Sequence, residues 1–274
     1  MNIIGVHRRT DIDNLIENAI QVKNNNGNAI QIFANKYSKK SLIKYTEFGK
    51  FITNINIQCY VHASYTINLA QDWDYHSWWL KIFILEIKNA SIIGAKGIVV
   101  HLGKQLKMSN EQAMNNMYTS LDYVISKTYK YNVEILLESS TGQGSEMYYN
   151  LDDFGFFLKK ILKLKKYKNK LGVCIDTCHV YSAGYDLKGK NNISDFIQKL
   201  DTSIGLKHIK LIHLNDSKND LGSKIDRHSN FTDGFIGLKS IKMLANVFKN
   251  LNIPIILETP CDNIFNDLEH VISN

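Results

Sequence analysis

Apolar, β-branched runs bounded by turn residues recur eight times along the chain, at residues 2–7, 29–33, 57–63, 97–103, 134–140, 171–179, 208–215 and 253–259, and each reads as a strand. Between them the period changes. In Asp11–Asn25, Tyr75–Gly94, Asn110–Tyr131 and Leu238–Asn250 apolar residues return at helical spacing, as Leu15, Ala19 and Val22 do, which predicts helices with one buried face. The lysine-rich run 159–170 alternates with Leu and Tyr and reads as a solvated amphipathic helix. Strict strand–helix alternation demands parallel strands joined by crossover helices, and eight such units in 274 residues favour closure over an open sheet. The expected fold is α/β, a single-domain TIM (β/α)8 barrel over residues 1–274, with no linker, low-complexity insertion or close internal repeat.

Composition adds less. A chain 44% hydrophobic and 22% charged suits a globular core. The net charge of +7 and pI near 9.0 favour polyanionic partners, nucleic acid above all. Asn, Lys and Ile are abundant and Pro occurs only at Pro254 and Pro260, the usage of an A+T-rich genome, so the lysines alone are weak evidence. An A+T-rich bacterium and a large cytoplasmic DNA virus both fit. The opening MNIIGVHRRTD lacks the apolar core and cleavage site of a signal peptide. The apolar stretches Ile82–Ile87 and Ile92–Val100 are broken or flanked by Glu86, Lys88, Asn89 and Lys96, so no membrane span is expected. The expected location is the cytoplasm, or for a virus the host cytoplasm and the particle, and the expected state is a monomer. Cys59, Cys174, Cys178 and Cys261 are too few and scattered for a disulfide framework. If 171–179 is extended, the Cα atoms of Cys174 and Cys178 lie roughly 13 Å apart, beyond a bridge.

In a parallel barrel the carboxyl ends of all strands converge on one face. Here His62 ends strand three, His101 strand four, Glu138 strand five, Asp176 strand six with His179 just beyond, His213 strand seven and Glu258 strand eight. A helical loop after strand seven adds Asp226 and His228. Any one of these is more often a hydrogen-bonded structural group. Six of eight apolar strands, GIVVHLG, EILLESS and IPIILETP among them, ending on an inward ionisable group is hard to explain as packing, because such burial is costly without partners or metal. Histidine and carboxylate ligands without thiolate suit zinc, or manganese, in a catalytic setting with open positions. At roughly three to four protein ligands per ion, the nine candidates fit two or three ions if one carboxylate bridges. Four carboxylates against three divalent ions leave about +2 before hydroxide binds, a charge suited to phosphodiester hydrolysis.

Three strings resemble signatures of the endonuclease IV family: CYVHASYTINLA at 59–70, GVCIDTCHVYSAGYDL at 172–187 and HLNDSKNDLGSKIDRH at 213–228. With TGQGS at 141–145 and ILETP at 256–260, the resemblance spans essentially the whole chain. It implies three zinc ions: one on His62, His101 and a bridging Glu138, a second on Glu138, Asp176, His213 and Glu258, a third on His179, Asp226 and His228. It further implies that a hydroxide between the first two ions attacks phosphorus, oriented by Glu258, while the third stabilises the departing 3′ oxygen. The activity so implied is that of an AP endonuclease of base excision repair, which cuts double-stranded DNA on the 5′ side of an abasic site and leaves a 3′-hydroxyl and a 5′-deoxyribose phosphate. Accompanying 3′-end repair diesterase or 3′–5′ exonuclease activity stays open.

The same resemblance assigns DNA contact to Tyr65, by stacking on unstacked DNA, and to Arg227, by phosphate contact. Gln143, between Gly142 and Gly144, and Lys36 in ANKYSKK are further candidates. The loop after strand two has Ser38 near the place where family members often carry a DNA-inserting arginine. The family's usual proline after His101 and Asn after Glu138 are also missing, although both ligands are kept. GVHRRT has arginines where the family has small residues, and leaves Arg8 and Arg9 as either phosphate contacts or surface charges. His7, His76, His208 and His270 fall outside the motif and read as structural. Two rivals stay open. A sugar isomerase or epimerase shares such a barrel, but has no use for Asp226, His228, Tyr65 or the basic balance. A non-catalytic DNA-binding scaffold is hard to square with an intact ligand set.

Overall fold

The computed structural model describes residues 2–164 and 169–273. Eight strands form the wall of a closed barrel: β1 (Ile4–His7), β2 (Ala29–Phe33), β3 (Gln58–His62), β4 (Gly97–His101), β5 (Glu134–Glu138), β6 (Leu171–Asp176), β7 (Ile209–His213) and, last in the chain, β10 (Ile255–Leu257). Each pairs in parallel with its neighbours, and β10 closes the ring between β7 and β1. The crossovers are α1 (Leu15–Asn24), α2 (Lys39–Asn54), α3 (Trp78–Ile93), α4 (Asn110–Thr128), α5 (Leu151–Leu162), α7 (Gly189–Ser203), preceded by the short α6 (Thr177–Ser182), and α8 (Leu238–Asn250), with α9 (Ile264–Ile272) returning to β1. Closure is tight at β1: a Cβ on Gly5 would lie 1.6 Å from the Ala29 carbonyl oxygen, so that position admits only glycine.

Alternation along the strands sorts the side chains into two sets. Outward residues pack against the helices in one large core. Inward residues form an apolar plug of Ala29, Tyr60, Val99, Leu136, Cys174, Leu211 and Ile256. Two positions further along the same strands, and so in the next inward layer toward the carboxyl ends, stand Gln31, His62, His101, Glu138, Asp176, His213 and Glu258. The ionisable layer therefore rests on an apolar floor.

Several expectations need correcting. The strands are shorter than their apolar runs. The sixth ends at Asp176 rather than running to 179, because the Asp176 side chain accepts the His179 backbone N–H at 3.0 Å and caps α6. The extended geometry assumed between Cys174 and Cys178 therefore does not apply, though both thiols are free and buried. His208 belongs to a single 3-10 turn before β7. The segment after β7 is not helical: β8 (Asp216–Ser217) and β9 (His228–Ser229) pair as an antiparallel hairpin. In the lysine-rich run the helix stops at Leu162, and 165–168 lie outside the described residues. Among the described residues no helix is long and apolar enough to cross a membrane.

Candidate metal centre

The nine candidate ligands meet at the carboxyl mouth of the barrel. Seven of them, His62, His101, Glu138, His179, Asp226, His228 and Glu258, line a cavity of about 620 Å³, while Asp176 and His213 lie fully buried beneath it. Their ligand-capable atoms fall into three groups, each with all its atoms within 4.8 Å of one another: His62, His101 and Glu138; Glu138, Asp176, His213 and Glu258; and His179, Asp226 and His228. Glu138 is common to the first two. Local structure explains the spacings. Asp176 and His179 share one face because the first turn of α6 brings residues three apart together. Asp226 and His228 come together where the chain enters β9, with their side chains and that of Arg227 all at the cavity lining.

The histidines are oriented from behind. His62 Nδ1 lies 2.7 Å from the Ala63 carbonyl, His179 Nδ1 2.8 Å from that of Ser139, and His228 Nδ1 3.1 Å from that of Glu258. Donating Nδ1–H to a carbonyl turns each Nε2 lone pair inward, the arrangement of a metal-binding imidazole. His213 is reversed: its Nε2 donates to Gln31 Oε1 at 3.0 Å and its Nδ1 faces Glu138 Oε1 at 2.8 Å and Glu258 Oε2 at 3.1 Å. Three of the inward atoms, His179 Nε2, His228 Nε2 and Glu138 Oε2, are buried without a hydrogen-bond partner. Buried polar atoms are rarely left so. Lone pairs oriented from behind and unsatisfied in front fit divalent cations.

The charges agree. Burial would push Glu138 up, but His101 and His213 hold its carboxyl well below the usual range. Burial is likewise outweighed at Glu258 by His213 and His7, and at Asp226 by His179 and His228. His179 is raised well above 6.5 because Asp176 and Asp226 outweigh its own burial. The carboxylates are thus held in the ionised form, the one that ligates metal, by the histidines around them. Cys174 and Cys178 also come within ligand reach, Cys174 of Glu138 and His213, Cys178 of Asp176 and His228. Burial pushes both thiols up to about 12, so they stay neutral and weakly ligating.

The four residues expected to touch DNA are placed differently. Tyr65 and Arg227 line the cavity mouth and are exposed. Tyr65 packs its ring 5.1 Å from His62 and 5.4 Å from Phe33, and Arg227 is steadied by a 2.6 Å bond to the Asp226 carbonyl. Gln143 is outside the cavity lining, and its Oε1 accepts the Asp226 backbone N–H at 3.0 Å, which makes it a support for the β8–β9 segment. Lys36 is exposed on the β2–α2 loop, away from the cavity lining.

Three supporting residues escaped the sequence reading. His7, read there as structural, lies 2.7 Å from Glu258 Oε1 by its Nδ1 and lines the cavity. Gln31 donates to the same oxygen at 2.7 Å. Asn215 donates to Asp176 Oδ2 and accepts the Glu258 backbone N–H, both at 2.7 Å. The signal for His7 and Gln31 was the alternation that pointed to the candidate ligands: both are inward polar positions on apolar strands, His7 at the end of β1 and Gln31 in the middle of β2.

A family profile described as Xylose isomerase-like TIM barrel matches residues 19–273. The "Probable endonuclease 4" of Mycoplasma mobile is 38% identical over 268 residues, 94% of this chain and 91% of that protein. That of Thermosipho africanus is 36% identical over 249 residues, 86% of this chain and 85% of that protein. The crystal structure of endonuclease IV from Thermus thermophilus superposes with a TM-score of 0.76 at 22% identity, covering 97% of this chain and 98% of that one. A D-tagatose 3-epimerase-like protein superposes at 0.71 with 16% identity, over 98% of this chain and 95% of that one. The backbone alone therefore does not choose between nuclease and sugar epimerase. The sequence relatives do, and the chain belongs to the endonuclease IV family, nucleases that hydrolyse phosphodiesters on a xylose-isomerase-like barrel.

Proposed function

We propose that this protein incises double-stranded DNA on the 5′ side of abasic sites, in base excision repair, by metal-dependent hydrolysis that leaves a 3′-hydroxyl and a 5′-deoxyribose phosphate. The observation that carries the reading is the inward set of unsatisfied ligand atoms on His179, His228 and Glu138, within a pocket of histidines and carboxylates. His62, His101 and Glu138 would hold one ion, Glu138, Asp176, His213 and Glu258 a second, and His179, Asp226 and His228 a third, zinc throughout or manganese at some positions. Bound there, the ions would activate a water and neutralise phosphate charge.

The chain's own groups supply the rest. Glu258 Oε1 is fixed by His7 and Gln31 and Oε2 stands 3.1 Å from His213 Nδ1, so the carboxylate is held in place to orient the attacking water. Tyr65 offers an exposed ring to a nucleotide displaced from the stack, and Arg227 an exposed guanidinium to phosphate. A cavity of about 620 Å³ accommodates an extruded sugar-phosphate unit. Every candidate ligand comes from one chain, so the reading requires only a monomer.

The test is the chemistry of the cut end. A 5′-labelled duplex with one natural abasic site is expected to give a fragment whose 3′ end primes a polymerase directly. A fragment that needs trimming first would mean β-elimination and would overturn the proposal.

A further inference from the structure

The two arginines that follow β1 have opposite surroundings. Arg8 is tied down: its Nε donates to Asn18 Oδ1 at 2.7 Å, its Nη2 to Gln21 Oε1 at 3.3 Å, and its guanidinium lies 5.3 Å from the centre of the Phe265 ring. Arg9 instead lines the mouth of the metal cavity. Its Nη2 donates to the Tyr65 hydroxyl at 3.3 Å, and its Cζ stands 5.9 Å from the centre of the Tyr65 ring. Both Arg9 and Tyr65 are exposed, and among the described residues no carboxylate lies within ion-pairing distance of Arg9.

That combination is unusual for a pocket that holds four carboxylates. An arginine serving only to balance their charge would pair with one of them. Arg9 is oriented without being neutralised: Tyr65 uses one donor and one face of the guanidinium and leaves the remaining N–H groups open to the solvent side. A planar fork of this kind matches the non-bridging oxygens of a phosphate. We propose that Arg9 is a substrate-binding residue that grips a backbone phosphate flanking the phosphodiester to be cut, with the Tyr65 hydroxyl as its strut. This rests on the incision reading above. It separates the pair of arginines into one that stabilises the fold and one that reads the substrate.

The experiment is steady-state incision of a duplex carrying one tetrahydrofuran abasic analogue, between about 50 and 200 mM salt, where phosphate contacts weaken steeply. For Arg9→Ala, KM is expected to rise about fivefold to tenfold with kcat little changed, and the slope of log KM against log salt to become shallower by about one. Arg9→Lys should keep the salt slope but recover only part of the KM, because an ammonium is a point charge rather than a fork. Tyr65→Phe keeps the ring and removes the strut, and should raise KM by less than Arg9→Ala does. Arg8→Ala should leave the salt slope unchanged and lower Tm. Wild-type incision with an unchanged KM and slope in Arg9→Ala would overturn this inference alone. Absence of any wild-type incision would overturn the functional reading and the inference with it.

Discussion

Asn215 shows how much of the site depends on residues that would never touch metal. Fully buried, it donates to Asp176 and accepts from the Glu258 backbone, while its own N–H and carbonyl engage the Thr177 hydroxyl at 2.8 and 2.6 Å. Asn215→Ala strands two buried partners, which should cost about 1–3 kcal/mol for each polar group left unsatisfied. A lowered Tm together with reduced metal content is the expected result, read by thermal unfolding and by elemental analysis of the same sample. Gln31→Leu tests orientation with little change in volume. It removes the acceptor that fixes the His213 tautomer and one donor to Glu258, so metal affinity or kcat should fall about 10–100-fold, and Tm should fall too because His213 Nε2 loses its buried partner. At this scale six of the candidate ligands, His62, His101, Glu138, Asp176, His213 and Glu258, were legible in the sequence because each is an ionisable residue closing an apolar strand, while His179, Asp226 and His228 were found through motifs that resemble the family's. Their supports were not. Asn215 sits in a loop, where no periodicity says which way a side chain faces, and His7 and Gln31 needed the inward alternation to be carried onto strands without a motif.

The hairpin β8–β9 carries Asp226 and His228, two of the three residues in the third candidate ligand group, and Asp216 holds it. Its buried carboxylate accepts backbone N–H groups from Ser217 at 2.7 Å and from Ile236 and Gly237 at 2.8 Å, tying the start of the hairpin to the approach of α8. Gly234 leaves room for it, since a Cβ there would lie 2.1 Å from Asp216 Cγ. Asp216→Ala should therefore loosen Asp226 and His228 before the other ligands, and metal content should drop by about one ion per chain, the expected share of one ligand group. Equal loss from all three groups would show that the hairpin is not an independent support. A second clamp lies on α3: Glu86 accepts from Tyr37 and from both the backbone and the hydroxyl of Ser64, while Asn89 donates to the Ala34 and Lys36 carbonyls. One helix thus fixes both the β2–α2 loop and the loop of Tyr65. Of the long helices α1, α3, α4 and α8 were legible, α8 to the residue, because thirteen residues sample the helical period several times. Paired strands of two residues sample no period at all, and α6 was hidden because its apolar sequence continues that of β6 without a break.

At the scale of the whole molecule, barrel closure converts eight separate strand ends into one pocket. That makes closure a functional requirement. Gly5→Ala forces β1 from β2 and should destabilise the fold by more than the roughly 1–3 kcal/mol of ordinary overpacking, because the obstacle is backbone. The barrel was legible from the count and alternation of the elements. The same topology is shared with an epimerase-like protein, so fold left the chemistry open and the sequence relatives decided it. The most direct measurement is incision of a tetrahydrofuran-containing duplex, which blocks β-elimination, by the protein as purified, after chelation, after zinc return, and with Glu258→Gln. Cleavage on the 5′ side that disappears on chelation, returns with zinc and is lost in Glu258→Gln is the expected result. A folded, zinc-loaded protein that leaves this duplex intact would contradict it.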